Sequence, residues 1–196
     1  MHKGELTRAS ILERAVSMAS VLGFEGLSIG RLASEAGMSK SGLFGHFGSK
    51  EALQHAILEF VVEDFKINVI APALRESTGE ARLRSLFARW LEWTGQERLT
   101  GGCPLITASI ELDDQPGPLR DYLVAQQEAW LDCIRRMAQK SVAEGRFRDG
   151  LDTRQFAFEF HGIGLAYNFS RRLLNDPNAL QRAKNAVDRL IESARA

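Results

Sequence analysis

Between Ile29 and Lys50, two short runs of apolar residues at helical spacing are separated by one glycine, and no other stretch restricts the possible folds of this chain so tightly. Ile29, Leu32, Ala33 and Ala36 line one face of a short helix, Gly37 stops it, and Leu43 and Phe47 line the inner face of a second helix from Ser39 to Phe47. Two such helices joined by a turn of about three residues have the spacing of a helix-turn-helix. Ala33 falls where the helices must cross closely and only a small side chain fits. Gly37 supplies the left-handed backbone that the tight turn requires. The remaining positions, Ser39, Lys40, Ser41, Gly42, Gly45 and His46, point outward or sit at the helix start, where a recognition helix meets base edges and phosphates in a major groove. Lys50 adds a cation beside the exposed N–H groups of the next helix, a pairing suited to a phosphate. The alternative for this spacing is an ordinary helical hairpin inside a core.

Helical periodicity continues through the rest of the chain, and no segment alternates as a strand would. A first helix capped by Thr7 buries Ile11, Leu12, Ala15, Val16, Ala19 and Leu22 and ends at Gly23, and Ser28 caps the second. Ser49 caps a long fourth helix lined by Leu53, Ile57, Phe60 and Val61, which Pro72 ends. A fifth helix carries Leu83, Leu86, Phe87, Trp90 and Leu91 up to Gly101 and Gly102, and a sixth spans Pro104 to Leu112. Pro118 opens a seventh helix that Gly145 closes, and Asp152 or Thr153 starts an eighth. Asp176 and Pro177 start a ninth, with Leu180, Ala183, Val187, Leu190 and Ile191 inward. The expected fold is therefore all-α with about nine helices. Residues 1–50 form a three-helix, helix-turn-helix domain, and residues 51–196 form a helical ligand-binding and dimerisation bundle.

Composition narrows the function. The 25 Lys and Arg balance 25 Asp and Glu, which excludes a protein that coats nucleic acid by bulk charge. Residues 1–50 nonetheless hold Lys3, Arg8, Arg14, Arg31, Lys40 and Lys50 against Glu5, Glu13, Glu25 and Glu35, a slight basic excess. No apolar run has the length of a membrane span or the form of a secretory signal, so a cytoplasmic protein with no membrane partner is expected. The two cysteines, Cys103 and Cys133, lie in no cluster with metal-ligand spacing, and neither a metal, a disulfide nor a cofactor is expected.

With these residues in place, the first quarter of the chain resembles the tetracycline-repressor (TetR) family. Gly23-Phe24, Ala36-Gly37-Met38-Ser39-Lys40, Leu43-Phe44-Gly45-His46-Phe47 and Ser49-Lys50 stand where that family carries its signature. The resemblance implies a homodimeric transcriptional regulator that binds a pseudo-palindromic double-stranded operator and responds, as a repressor, to a small effector. It implies a DNA-facing set of Thr7, Ser28, Arg31, Ser39, Lys40, Ser41, Gly42, Phe44, His46 and Lys50. Two positions depart from the family pattern. Phe44 stands where tyrosine is usual, so no hydroxyl can bond a phosphate there and any contact is apolar. Ser41-Gly42 replaces the common glycine-threonine pair, which moves a hydroxyl to the neighbouring position.

In the larger domain, Phe65, Phe87, Trp90, Trp93, Trp130 and Tyr167 are candidates for lining a largely apolar effector pocket, with Cys103 and His161 supplying polar groups. Plain core packing is the alternative for each. The eighth helix is apolar nearly all round, which implies two buried faces, and Gly162, Gly164 and Ala166 permit close approach of another helix. With the ninth helix it resembles the family's dimerising four-helix bundle, the interface being Phe158, Gly162, Leu165, Phe169, Val187 and Ile191. Two other function classes remain open. A small helical enzyme would use Asp113, Asp114 or His161, but the sequence has no nucleophile elbow, phosphate loop or dinucleotide fingerprint, and a non-enzyme is expected. A helical interaction module that never touches DNA is the other.

Overall fold

A computed structural model describes residues 3–196 of the chain, with side chains from Arg8 onward. In chain order the helices are α1 (Lys3–Leu22), α2 (Ile29–Glu35), α3 (Lys40–Phe47), α4 (Lys50–Phe65), α5 (Gly79–Thr94), α6 (Pro104–Glu111), α7 (Pro118–Ala143), α8 (Thr153–Arg172) and α9 (Ala179–Ala194). α4 runs on without a break through a π-helical segment (Lys66–Ile70) into a last α turn (Ala71–Leu74). Among the described residues the only β-type pairing is an isolated bridge between Phe147 and Arg195, and no helix is long and apolar enough to cross a membrane. The fold is the all-α arrangement expected, a helix-turn-helix followed by a helical domain.

Backbone contacts gather into two compact units. One takes the chain up to Asp64 together with Gly95–Val124, and the other takes Phe65–Thr94 and Ala125–Ala196. In the first, α1 buries Ile11, Leu12, Ala15, Val16 and Ala19, α2 buries Leu32 and Ala33, and α3 buries Leu43 and Phe47. The Ser28, Ser39 and Ser49 hydroxyls each accept a hydrogen bond from an orphan N–H in the helix they precede, at 3.2, 3.0 and 3.0 Å. In the second unit, Leu83, Leu86, Phe87, Trp90 and Leu91 of α5 pack with the inner faces of α8 and α9. Gly164 of α8 is essential to that packing, since a Cβ there would lie 1.9 Å from the Trp90 ring.

Several boundaries differ from expectation for identifiable reasons. α1 begins at Lys3, so Thr7 falls inside the helix rather than at its cap. Pro72 does not end α4. Its ring would press on the carbonyl of Asn68 in a regular α-helix, and the π segment, in which the Ala71 N–H reaches the Lys66 carbonyl, widens the ladder just ahead of it. α5 stops at Thr94, whose carbonyl accepts from the Arg171 guanidinium at 2.7 Å. Gly101 serves a different purpose from helix termination: it brings its loop against α1, where a Cβ would fall 1.5 Å from the Ser20 carbonyl oxygen. α9 begins at Ala179, because Asp176 closes a turn by accepting from the Asn178 N–H at 2.8 Å. Leu180, expected inward, is 44% exposed.

Candidate functional site

The α2–α3 pair is built by backbone economy. Gly37 takes φ 64°, and the Met38 N–H closes on the Ala33 carbonyl at 2.9 Å, with Ala33 buried at the crossing. Burying Leu43 and Phe47 turns Lys40, Ser41, Gly42, Phe44 and Gly45 to solvent, while Ser39 is exposed at the cap. Ser28 and Arg31 at the start of α2 are also exposed, and His46 and Lys50 are half-buried. The side chain of Thr7 lies outside the described residues. The structure therefore brings together nearly all the residues expected to face DNA.

It also shows how their polar groups are committed. Ser39 Oγ, besides capping α3, shares a hydrogen bond with Ser41 Oγ at 3.2 Å. The stem of Lys40 lies across Gly30, whose missing side chain makes the room: a Cβ there would meet Lys40 Cε at 2.9 Å. Its ammonium thus stands beside the first turn of α2, where exposed N–H groups favour an anion. Lys50 is less available than expected, because its ammonium donates to the Glu25 carbonyl at 3.1 Å and stands 3.5 Å from the Glu25 carboxylate.

Sequence reasoning missed how the turn before α2 is held. The Phe24 N–H donates to the Glu111 carboxylate at 2.7 Å, and the Phe24 carbonyl accepts from the Gln54 amide at 2.8 Å. With Lys50 on the next carbonyl, three side chains distant in sequence fix this one turn. Arg8 also places its guanidinium over the Phe47 ring, 5.2 Å from the centroid, and Arg14 donates to the Glu35 carbonyl at the end of α2. The same unit holds a groove of about 680 Å³ between the first turns of α4 and the Gln115–Arg120 segment, lined in part by Lys50, His55 and Arg120. No periodicity or motif announced it.

In the second unit the aromatic candidates form one connected cluster. Phe65 meets Trp93 and Trp130 edge-on, both at 5.1 Å between centroids, and Trp90 meets Trp130 at 5.3 Å. Phe87 bridges Trp90 and Phe160. His161 stacks on Trp90 at 5.8 Å and accepts a hydrogen bond at Nδ1 from Trp130 Nε1 at 3.0 Å. Burial holds its imidazole below the usual histidine range, so Nδ1 stays an acceptor and the proton sits on Nε2. Tyr167 is buried on the same helix. Cys103 belongs to the other unit, at the cap position of α6.

α8 does not bury two faces within its own chain. Phe156, Phe160, Gly164 and Tyr167 are inside, whereas Phe158, Leu165 and Phe169 are 71%, 40% and 52% exposed. Gly162 lines an open groove of about 490 Å³ between α8 and α9, with Ile163, Ala166, Ala186 and Leu190. Val187 and Ile191, expected at an interface, are 4% and 0% exposed and belong to the core of their own unit. The α9 residues that border the open groove are Ala186, Arg189, Leu190 and Ser193.

Comparison with known proteins agrees with this geometry. Residues 11–57 match the family model described as bacterial regulatory proteins, tetR family. Residues 79–187 match that of the tetracyclin repressor-like C-terminal domain. No curated protein matches significantly. Among solved structures, a TetR transcriptional regulator from Chloroflexus aurantiacus is 24% identical with a TM-score of 0.86, over 98% of this chain and 96% of that one. A TetR-family regulator from Cytophaga hutchinsonii is 21% identical with a TM-score of 0.87, over 100% and 98%. AibR, solved with isovaleryl coenzyme A and operator DNA, is 23% identical with a TM-score of 0.75, over 94% and 98%.

Proposed function

This chain belongs to the TetR family of regulatory proteins and is a DNA-binding, ligand-responsive transcriptional regulator; on that premise we propose that it works as a homodimeric repressor on a pseudo-palindromic operator. The observation that carries this reading is the solvent face of α3, where Lys40, Ser41 and Phe44 stand exposed beside the bare backbone of Gly42 and Gly45. A two-fold dimer would set two such helices in successive major grooves about 34 to 36 Å apart. Ser28, Arg31, Ser39, Lys40, His46 and Lys50 would hold phosphates and set register, with Lys50 giving up part of its contact to Glu25 to do so. The open apolar stripe Phe158, Leu165 and Phe169, beside Gly162 and Ala166, supports α8 as the dimer seam.

The effector is a small, largely apolar molecule received in the domain that follows the helix-turn-helix, with the aromatic cluster around Trp90 and His161 as its candidate wall. It must prefer the form that cannot bind operator by about 1.4 kcal/mol for each tenfold loss of DNA affinity. Selection of bound DNA from a random oligonucleotide pool tests the reading, with the Lys40→Ala, His46→Ala double variant in parallel. An enriched inverted repeat that the double variant fails to enrich is expected. A pool that stays random at low and moderate salt would overturn it.

A further inference from the structure

We propose that Phe44 is a specificity-determining residue that reads the 5-methyl group of a thymine in each operator half-site, an inference that rests on the operator-binding function above. Leu43 and Phe47 already pack the inner side of α3, at 0% and 8% exposure, while Phe44 is 54% exposed and leaves much of an aromatic face in water. More than half of the ring's surface is left over from packing, and an exposed apolar side chain on a polar surface of recognition type fits an apolar group brought by the partner.

Its neighbours narrow the partner. Lys40 precedes Phe44 by one helical turn, and its stem is laid over Gly30, towards α2 rather than over the ring. Ser41 shares its hydroxyl with Ser39, which also caps α3, so hydroxyl readout on this face is partly spent inside the protein. Gly45, the next residue, adds no side chain beside the ring, and a Cβ there would have nothing within 4 Å, so the backbone at this point is open to an approaching duplex. The major-groove edges of unmodified base pairs carry one apolar substituent, the thymine methyl; the other groups there are hydrogen-bond donors, acceptors or small ring C–H groups. A bare ring flanked by bare backbone is therefore matched to thymine and mismatched to the polar edge of cytosine or guanine.

The test uses the full-length protein and its selected operator, with each thymine replaced in turn by deoxyuridine, which removes the methyl and leaves pairing intact. For the wild type, one position per half-site should lose about fourfold in affinity on that replacement, the worth of one buried methyl. Replacing it in both half-sites should lose about sixteenfold. Phe44→Tyr keeps the ring and should keep the discrimination. Phe44→Ala should bind thymine and deoxyuridine operators equally while still melting as a cooperatively folded protein. Wild-type indifference to every replacement, discrimination that survives in Phe44→Ala, or half-sites without thymine would overturn the assignment. If Phe44→Ala weakens binding while every replacement is tolerated, the ring lies against sugar and phosphate and the proposal is wrong. A selection that enriches nothing fails at the earlier step and sinks the operator reading along with it.

Discussion

α3 and α5 spend their residues in opposite ways. α3 is eight residues long, buries two side chains and carries two glycines, each costing roughly 1 kcal/mol of helix propensity relative to alanine. It is held by a serine cap, by the positive-φ turn at Gly37 and by packing on α2. α5, by contrast, buries most of its length, and its Trp90 lies against the backbone of Gly164, the ring of His161 and the edge of Trp130. The contrast separates surfaces kept free for a partner from surfaces consumed by the fold. Where local geometry is fixed by caps and turns, outward side chains answer to recognition. Where it is fixed by close packing, nearly every residue answers to its neighbours.

The largest expected effect tests the packed region. Trp90→Ala should cost about 3 to 5 kcal/mol in urea unfolding, the range for removing a buried large aromatic. It also leaves the His161 ring without its stacking partner. A loss under about 1 kcal/mol would mean that the cluster is looser than its edge-on contacts indicate. Next in size, Ser39→Ala removes the side-chain cap that accepts from the Gly42 N–H in the first turn of α3 and should cost about 1 kcal/mol. Because the cap sits at the candidate DNA face, operator affinity should fall as well. A variant that loses stability but keeps affinity would break the link between cap and recognition.

Gly45→Ala sharpens the comparison by reversing sign. Its Cβ meets no protein atom within 4 Å, so thermal stability should rise by up to about 1 kcal/mol while operator binding weakens. A gain in both would show that backbone approach to DNA at this point is unnecessary. The smallest effect is in pH. His161 is held below its ordinary pKa by burial, so the folded form binds its proton less readily than the unfolded form. The stability this confers is present in full above about pH 6.5 and is lost as pH falls from there through the lowered folded value. His161→Gln should flatten that part of a urea-midpoint titration. An unchanged slope would place the titrating group elsewhere.

Much of this was legible in the sequence because helix ends carry local chemistry. Ser28, Ser39, Ser49, Asp152, Gly23, Gly37 and Gly145 all act within a few residues, so spacing alone located them. What could not be read depends on contacts between distant residues. Glu111 on Phe24, Lys50 on Glu25 and Arg171 on Thr94 join positions whose pairing no periodicity records. The interface side of α9 failed for a related reason. Amphipathicity marks an apolar face but does not say whether the same chain or a second copy covers it, and Val187 and Ile191 proved to be covered by their own unit. Pro72 misled because a π turn absorbs a proline that would end a regular helix.

All three tryptophans of the chain, Trp90, Trp93 and Trp130, lie in the one aromatic cluster of the second unit. Tryptophan emission, excited selectively over the tyrosines, is therefore a gauge of that unit alone. Emission would redden when the cluster meets water and stay unchanged while α2 and α3 unravel. A melt followed by tryptophan emission would then monitor the second unit while circular dichroism monitors the helices of both, and any gap between the two curves would show that the two units do not unfold together.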